Sequence, residues 1–520
     1  MKWKKAISLL IVLCLVIAML AGCTGAAGQQ GNASTNGKTA PDGEAYVYPE
    51  NEIDYAALRT PGSQEDAYTY QNFFLPAKDD GVQGFVGDTM PYYEDGTYYI
   101  YYLKESGDSY NHSIYLTTTK DFVTYDEQDK VVIEANRSGG QDGWIGTGSV
   151  VKVKETYYFF YTGHSFSDTA EYKEKIMLAK SSGLTSFEKV ADFEIIPPAE
   201  LGQKNDFRDP QAYYDATTDT ITLTVTASQS NKARILKYTL SGDLKNVQYD
   251  GIIFTDEPGQ FWNLECSDTF KLGEKYYITY SGQDDTLWYA VSDTPYGPYG
   301  EPTRLDGKLF YAAKHVDNGT DYYMVGWARR SESVSSTQDV NGWAGNLAVQ
   351  KLVQNADGSL ALAPVDAICA QYTARRELLV ETDAAEMAAG SAYQYLPLAN
   401  VYEAYLLTGK IKFEKSGTFG FAFDYNGRED KDKFVTFSPK SGTISLQFNK
   451  GTTLITETAA PIEAGREYAF TLVQEGSVAT LYLDGIAALT VRLYGVTGKP
   501  IKLFTENNTV TVSELKQYTR

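Results

Sequence analysis

Tyr157-Tyr158-Phe159-Phe160-Tyr161, followed by Ile176-Met177-Leu178-Ala179, is the stretch on which the fold turns. It reads as an aromatic strand followed by a strand with small or polar residues. The same pair recurs along the chain. Its corresponding first members are Tyr98-Tyr99-Ile100-Tyr101-Tyr102, the aliphatic Ile221-Thr222-Leu223-Thr224-Val225, Tyr276-Tyr277-Ile278-Thr279-Tyr280 and Tyr322-Tyr323-Met324-Val325. The strands that follow are Ser113-Ile114-Tyr115-Leu116, Arg234-Ile235-Leu236-Lys237, Leu287-Trp288-Tyr289-Ala290 and Asn346-Leu347-Ala348-Val349. A unit of roughly fifty to sixty residues repeated in this way has the period of a propeller blade. Hardly any segment carries a helical period. The reading is an all-β chain with a five-bladed β-propeller, a double β-sandwich being the other arrangement such strands allow.

After Tyr372 the texture changes. Glu377 to Ala389 is charged and alanine-rich, as in a connector. Alternating strands such as Gly417-Thr418-Phe419-Gly420-Phe421-Ala422-Phe423, Thr443-Ile444-Ser445-Leu446 and Thr480-Leu481-Tyr482-Leu483 then indicate a β-sandwich. Asp424 to Lys433 reads as a charged, solvated hairpin. The expected division is a signal segment over 1–23, a flexible linker over 24–50, the propeller over 51–374 and the sandwich over 375–520.

The start of the chain reads as an address. Lys2, Lys4 and Lys5 precede an apolar run from Ala6 to Leu20, short for a bilayer span. Leu20-Ala21-Gly22-Cys23 closes it and resembles a bacterial lipobox, which implies lipidation of Cys23 and a place on the outer face of the cell membrane. The glycine-, serine- and asparagine-rich stretch that follows has the composition of a tether. Beyond the signal, Cys266 and Cys369 remain, too few for a disulfide framework; the Glu265 neighbour argues for a free thiol at Cys266.

The formal net charge is −21, which disfavours nucleic acid and polyanionic substrates. Neutral sugars fit the charge, and 41 tyrosines point the same way. The three histidines, His112, His164 and His315, have no ligand spacing, so neither a metal nor another cofactor is expected.

Gly87-Asp88-Thr89, Arg208-Asp209-Pro210 and Glu265-Cys266 each place a carboxylate at the edge of a repeat. A propeller gathers its innermost strands around one axis, so residues at those strand starts converge in a funnel. Asp88, Asp209 and Glu265 would arrive from the first, third and fourth blades. Glycosidic bonds break through a cationic transition state, which one carboxyl group meets as proton donor and another as nucleophile or base. A third acid can hold the sugar hydroxyls.

The flanks of these acids resemble glycoside hydrolase family 32, the invertase, inulinase and levanase family. Its Trp-Met-Asn-Asp-Pro-Asn-Gly motif corresponds to Phe85-Val86-Gly87-Asp88-Thr89-Met90-Pro91, and its Phe-Ser-Gly-Ser segment to Gly146-Thr147-Gly148-Ser149. Tyr161-Thr162-Gly163 and Arg208-Asp209-Pro210 match intact, and Trp-Glu-Cys-Pro-Asp becomes Leu264-Glu265-Cys266-Ser267-Asp268. The resemblance implies that Asp88 is the nucleophile, Glu265 the acid/base, and Asp209 the holder of two fructose hydroxyls. Trp144, Thr147, Arg208, Trp262 and Cys266 are expected to contact the sugar, while Tyr161 and Trp327 are further stacking candidates. The implied activity is retaining hydrolysis of fructosyl linkages. The chain departs from the family where its Asn becomes Gly87, its Pro becomes Thr89 and the Gln ending the hairpin becomes Leu103. Ser292-Asp293-Thr294-Pro295-Tyr296-Gly297-Pro298 resembles blade ends of family 43, whose inverting arabinosidases and xylosidases are one alternative. A glycan-binding lipoprotein without turnover is the other. Leu264 and Cys266 suggest a less polar setting for Glu265 than Gly87 and Thr89 give Asp88.

Overall fold

The computed structural model describes residues 69–78, 82–105, 112–202, 204–330, 343–381, 383–424, 432–448 and 453–520. The signal segment, Cys23 and the 24–50 linker lie outside the described residues. Five four-stranded antiparallel units follow one another along the chain, as the repeat predicts. Their first strands are Phe85–Glu94, Trp144–Val153, Phe207–Asp215, Glu265–Leu272 and Phe310–Asp317. These contact one another in ring order, the last against the first, which sets them around the propeller axis. Val86 pairs with Gly345 of the third strand of the fifth blade, which joins that blade to the first.

The aromatic second strands explain why the repeat is so easily seen. In Thr156–His164, Tyr157, Phe159, Phe160 and Tyr161 are all buried, because neighbouring blades cover both faces of the sheet. Such a strand is written as a continuous apolar run in place of an alternation. Tyr101 and Phe159 meet edge-on between the first two blades at 5.1 Å. Ile221, Leu223 and Val225 fill the space between the second and third blades with Val151 and Phe160.

Each first strand slips register once near its start. The slips fall at Asp88, Gly146–Thr147, Asp209–Pro210, Cys266–Ser267 and Ala312–Ala313. A bulge bends the strand and turns a side chain out of the ladder. Asp209, Cys266 and Ala312 take positive φ of 57°, 51° and 51° there, a conformation that costs a residue with a Cβ roughly 1–2 kcal/mol. The pattern turns five strand starts toward one funnel.

The C-terminal unit is a sandwich of two antiparallel sheets. Its core holds Phe419, Phe421, Phe437, Leu472, Leu481 and Val510. Two sequence expectations change here. The Glu377 to Ala389 stretch is not only a connector, because Ala385–Ala388 pairs with the last strand, Thr509–Thr519. Lys433, read as part of a solvated hairpin, is buried, and its Nζ donates to the Tyr494 carbonyl. A charged residue was hidden there because a long aliphatic stem let its ammonium reach a backbone acceptor. Cys266 and Cys369 are both free thiols.

Candidate active site

The funnel opens into a cavity of about 700 Å³ lined by all three acids, Asp88, Asp209 and Glu265. Asp88 is the bulged residue of its strand, lying between the pairs Gly87–Leu103 and Thr89–Tyr102. Thr147 Oγ1 donates to its Oδ2 at 3.0 Å and Trp327 Nε1 to its Oδ1 at 3.3 Å. Burial raises the Asp88 carboxyl above its ordinary value and the Glu265 charge adds to this, while Trp327 and Thr147 pull it back.

Asp209 is only 3% exposed, and its Oδ2 accepts the Cys266 backbone N–H at 2.7 Å. Its own N–H donates to Thr162 Oγ1 at 2.9 Å. Burial pushes the Asp209 carboxyl up to about 7, against the opposing pull of Arg208 and the Cys266 N–H. Glu265 Oε1 accepts from Arg208 Nη2 at 3.1 Å, and Tyr311 OH donates to its Oε2 at 2.5 Å. The expected contrast in polarity is therefore reversed. Leu264 is buried in the core behind the strand, whereas the Glu265 side chain meets a guanidinium and a phenol. Asp88 sits nearer indoles than charges.

Arg208 is the hub of the charged wall. Its Nη1 donates to both oxygens of Glu174, at 3.1 and 3.2 Å, and to Asp206 at 3.2 Å. Its guanidinium lies over Trp262 at 5.2 Å. Burial raises the Glu174 carboxyl, but Arg208, His164 and the Phe207 N–H outweigh it and hold it at about 2. A second ion pair, Arg329 to Asp285 at 2.6 Å, completes the wall.

The other side of the cavity is aromatic. Trp144 Nε1 donates to His112 Nδ1 at 2.7 Å, which leaves the proton on Nε2, 3.3 Å from Glu105. Trp343 stacks on His112 at 4.4 Å and stands edge-on to Trp327 at 6.1 Å. Trp144, His112, Trp327 and Trp343 from blades one, two and five thus supply most of the rings, while the charged wall draws Arg208 and Glu265 from blades three and four, Glu174 from blade two and Arg329 from blade five.

Among the expected contact residues, Trp144, Thr147, Arg208, Trp262 and Trp327 line the cavity. Cys266 does not: its thiol is buried behind Thr147 Oγ1 at 3.6 Å, and only its backbone N–H serves the site. Its left-handed backbone turns the side chain inward. Tyr161 is likewise a core residue, fully buried, with its hydroxyl donating to Asp142. Sequence reasoning missed Glu174, Tyr311, Arg329, Asp285 and Trp343, and gave His112 and His164 no role in a pocket. The signals were faint: each sits at a strand end or loop with no motif around it.

The family model for the glycosyl hydrolases family 32 N-terminal domain matches residues 83–364. Sucrose-6-phosphate hydrolase of Escherichia coli is 26% identical over 269 residues, covering 48% of this chain and 54% of that protein. The chain thus spans about half the length of the curated relative it matches. Among solved structures, fructan 1-exohydrolase IIa from Cichorium intybus superposes with a TM-score of 0.70 at 15% identity, covering 88% of this chain and 97% of that one. The beta-fructofuranosidase of Bombyx mori gives 0.66 at 18% identity over 88% and 96%. These likenesses extend the shared fold across propeller and sandwich together. With the family model covering more than half of its length, the chain belongs to glycosyl hydrolases family 32.

Proposed function

We propose that the protein hydrolyses fructosyl linkages of neutral oligosaccharides, of sucrose, inulin or levan type, with retention at the anomeric carbon. The observation that carries this reading is the convergence of Asp88, Asp209 and Glu265, from three separate blades, on one cavity. Six carboxylates and three cations line that cavity, and Arg208 and Arg329 are each held by acids. This balance favours an uncharged sugar over a sugar phosphate.

In the first step an Asp88 oxygen attacks the anomeric carbon while Glu265 gives its proton to the departing glycosidic oxygen. The products are a fructosyl ester of Asp88 and the free alcohol of the leaving group. Glu265, now ionised, takes a proton from water, and the resulting hydroxide attacks the same carbon and releases Asp88. Thr147 and Trp327 hold Asp88 as an anion aimed into the cavity. Asp209, ionised, binds sugar hydroxyls and offsets the positive charge that develops at the ring. Tyr311 and Arg208 aim Glu265 at the leaving group and receive its negative charge after proton transfer.

Incubation with sucrose, inulin, levan and arabino-oligosaccharides tests this, with sugar release as the readout and NMR of the first-formed product reporting its anomeric form. Fructose released with retention is expected. Arabinose alone, or an inverted product, would reject the assignment, and sugar bound without release would favour a glycan-binding role. The lipobox supports a lipid anchor at Cys23 that holds the enzyme at the outer membrane face, where one acyl chain alone binds weakly and a diacylglyceryl group is needed. Membrane association that survives Cys23→Ala would remove that part of the proposal.

A further inference from the structure

Position 87 is where the chain leaves its family's first motif, and the structure shows what stands in the vacated space. A Cβ built on Gly87 would lie 2.2 Å from Cη2, 2.5 Å from Cζ2 and 2.8 Å from Cζ3 of Trp343. No side chain fits there while the indole stays. The Asn of the family motif and the Trp343 ring are therefore mutually exclusive occupants of the same volume, directly beside Asp88.

The ring is seated by the backbone around it. Ala344, immediately after it, is buried and held at φ 65°, which turns the chain sharply. Gly345 follows, and a Cβ on it would come 1.8 Å from the Ala328 carbonyl, so the strand can approach its neighbour only as glycine. Arg330 N–H donates to the Ala344 carbonyl at 3.3 Å. Stacking on His112, which Trp144 and Glu105 orient, fixes the indole from the other side. A strained residue, an obligatory glycine and an oriented imidazole together hold this one ring against the Asp88 strand.

We infer that Trp343 is a specificity-determining residue: the sugar unit bound against Asp88 meets an aromatic surface where the family motif would present a hydrogen-bonding amide. The inference rests on the fructoside reading above and names how its site recognises the sugar. An amide placed to bond a hydroxyl rejects analogues that lack it, whereas an aromatic surface binds through the apolar C–H face of the ring and discriminates less. The ligand class is a neutral sugar read through its C–H face at this point, with hydrogen-bonding selectivity left to Asp209 and the charged wall.

The test has two arms. Melting temperatures of Gly87→Asn, Trp343→Ala and the double variant measure whether the two positions share one space, with no sugar present. Gly87→Asn alone is expected to lower Tm by several degrees, and to lower it far less in the Trp343→Ala background. Kinetics on the fructoside panel supply the second arm. Trp343→Ala is expected to raise KM about 10-fold or more with a smaller change in kcat, and Trp343→Phe to restore most of the loss. Calorimetric titration of Asp88→Asn protein with sucrose or inulin oligosaccharide, with and without Trp343→Ala, should show the same weakening. Additive Tm shifts, or a KM left unchanged by Trp343→Ala in an enzyme that releases fructose, would overturn this inference alone. An unmodified protein that neither binds nor cleaves any panel sugar would overturn the fructoside reading, and this inference with it.

Discussion

Asp209 at the floor of the cavity and Asp306 at the seam between propeller and sandwich are both buried aspartates, but their surroundings differ in kind. Asp306 Oδ1 accepts the N–H groups of Gly307 at 2.6 Å and Thr490 at 2.8 Å, while its Oδ2 accepts Thr490 Oγ1 at 2.6 Å and Gln350 Nε2 at 3.0 Å. The Asp209 carboxylate accepts one hydrogen bond, from the Cys266 N–H, among the described residues. Nearby in the seam, Arg492 of the sandwich donates to the carbonyls of Ala328 and Arg329, to Asn346 Oδ1 and to Ser477 Oγ. The seam surrounds Asp306 and Arg492 with partners and joins the two units. The cavity leaves lone pairs open, and the stability supplied elsewhere lets it do so. The seam also reaches the site: Trp327 and Arg329, which line the cavity, belong to the strand that Arg492 holds.

The sharpest way to break this contrast is to remove a charge from the cavity. Asp88→Asn is expected to lower kcat by about 10⁴-fold or more, with Tm unchanged or raised because a buried charge is gone. A lowered Tm with kcat nearly unchanged would place Asp88 with the structural acids. The counterpart in the seam is Arg492→Ala, which leaves two carbonyls and an amide oxygen short of donors and empties a large buried volume. We expect a loss of about 3–5 kcal/mol in unfolding free energy by denaturant titration. A loss under about 1 kcal/mol would show that the seam is not a stabilising contact.

Asp306 also makes the stability of the seam depend on pH. Burial pushes its carboxyl up to about 6 in the folded chain. The folded state therefore binds this proton more tightly than the unfolded state does. The resulting stabilisation is full below about pH 4 and is lost as pH rises to about 6. The stability difference between wild type and Asp306→Asn should change by up to about 3 kcal/mol across that window. A flat difference would mean that the four donors cancel desolvation.

The smallest expected effect concerns Asp209, whose carboxyl burial pushes up to about 7. Its proposed work needs the ionised form. The value of kcat/KM should therefore fall about tenfold per pH unit below that point. The neighbouring Glu265 and Asp88 charges add to the rise that burial gives Asp209. Asp209→Asn should remove this acid limb while lowering the overall rate, and an unchanged limb would assign it to another acid.

Much of this molecule was legible in its sequence for a local reason. Blades that cover both faces of the second strands favour apolar runs, aromatic in four of the five blades, so the repeat and the strand starts could be read directly. Asp88, Asp209 and Glu265 stood beside that repeated pattern and could be placed on three blades. Gly87 and Leu103 also marked where the pocket departs from its family, without showing what replaces the missing side chains.

What the sequence determined by itself was the all-β architecture, the family and the order of the acids, because periodicity and motif are properties of neighbouring residues. Tertiary structure alone decided which side chains face the cavity and in what electrical setting. Arg208 reaches Glu265 across 57 positions of the chain, and Trp327 reaches Asp88 across 239. Bulges and left-handed residues decided that Cys266 turns inward while Glu265 turns toward Arg208 and Tyr311. Desolvation and Coulomb interaction depend on distance through space, and chain neighbours such as Leu264 carry no record of it.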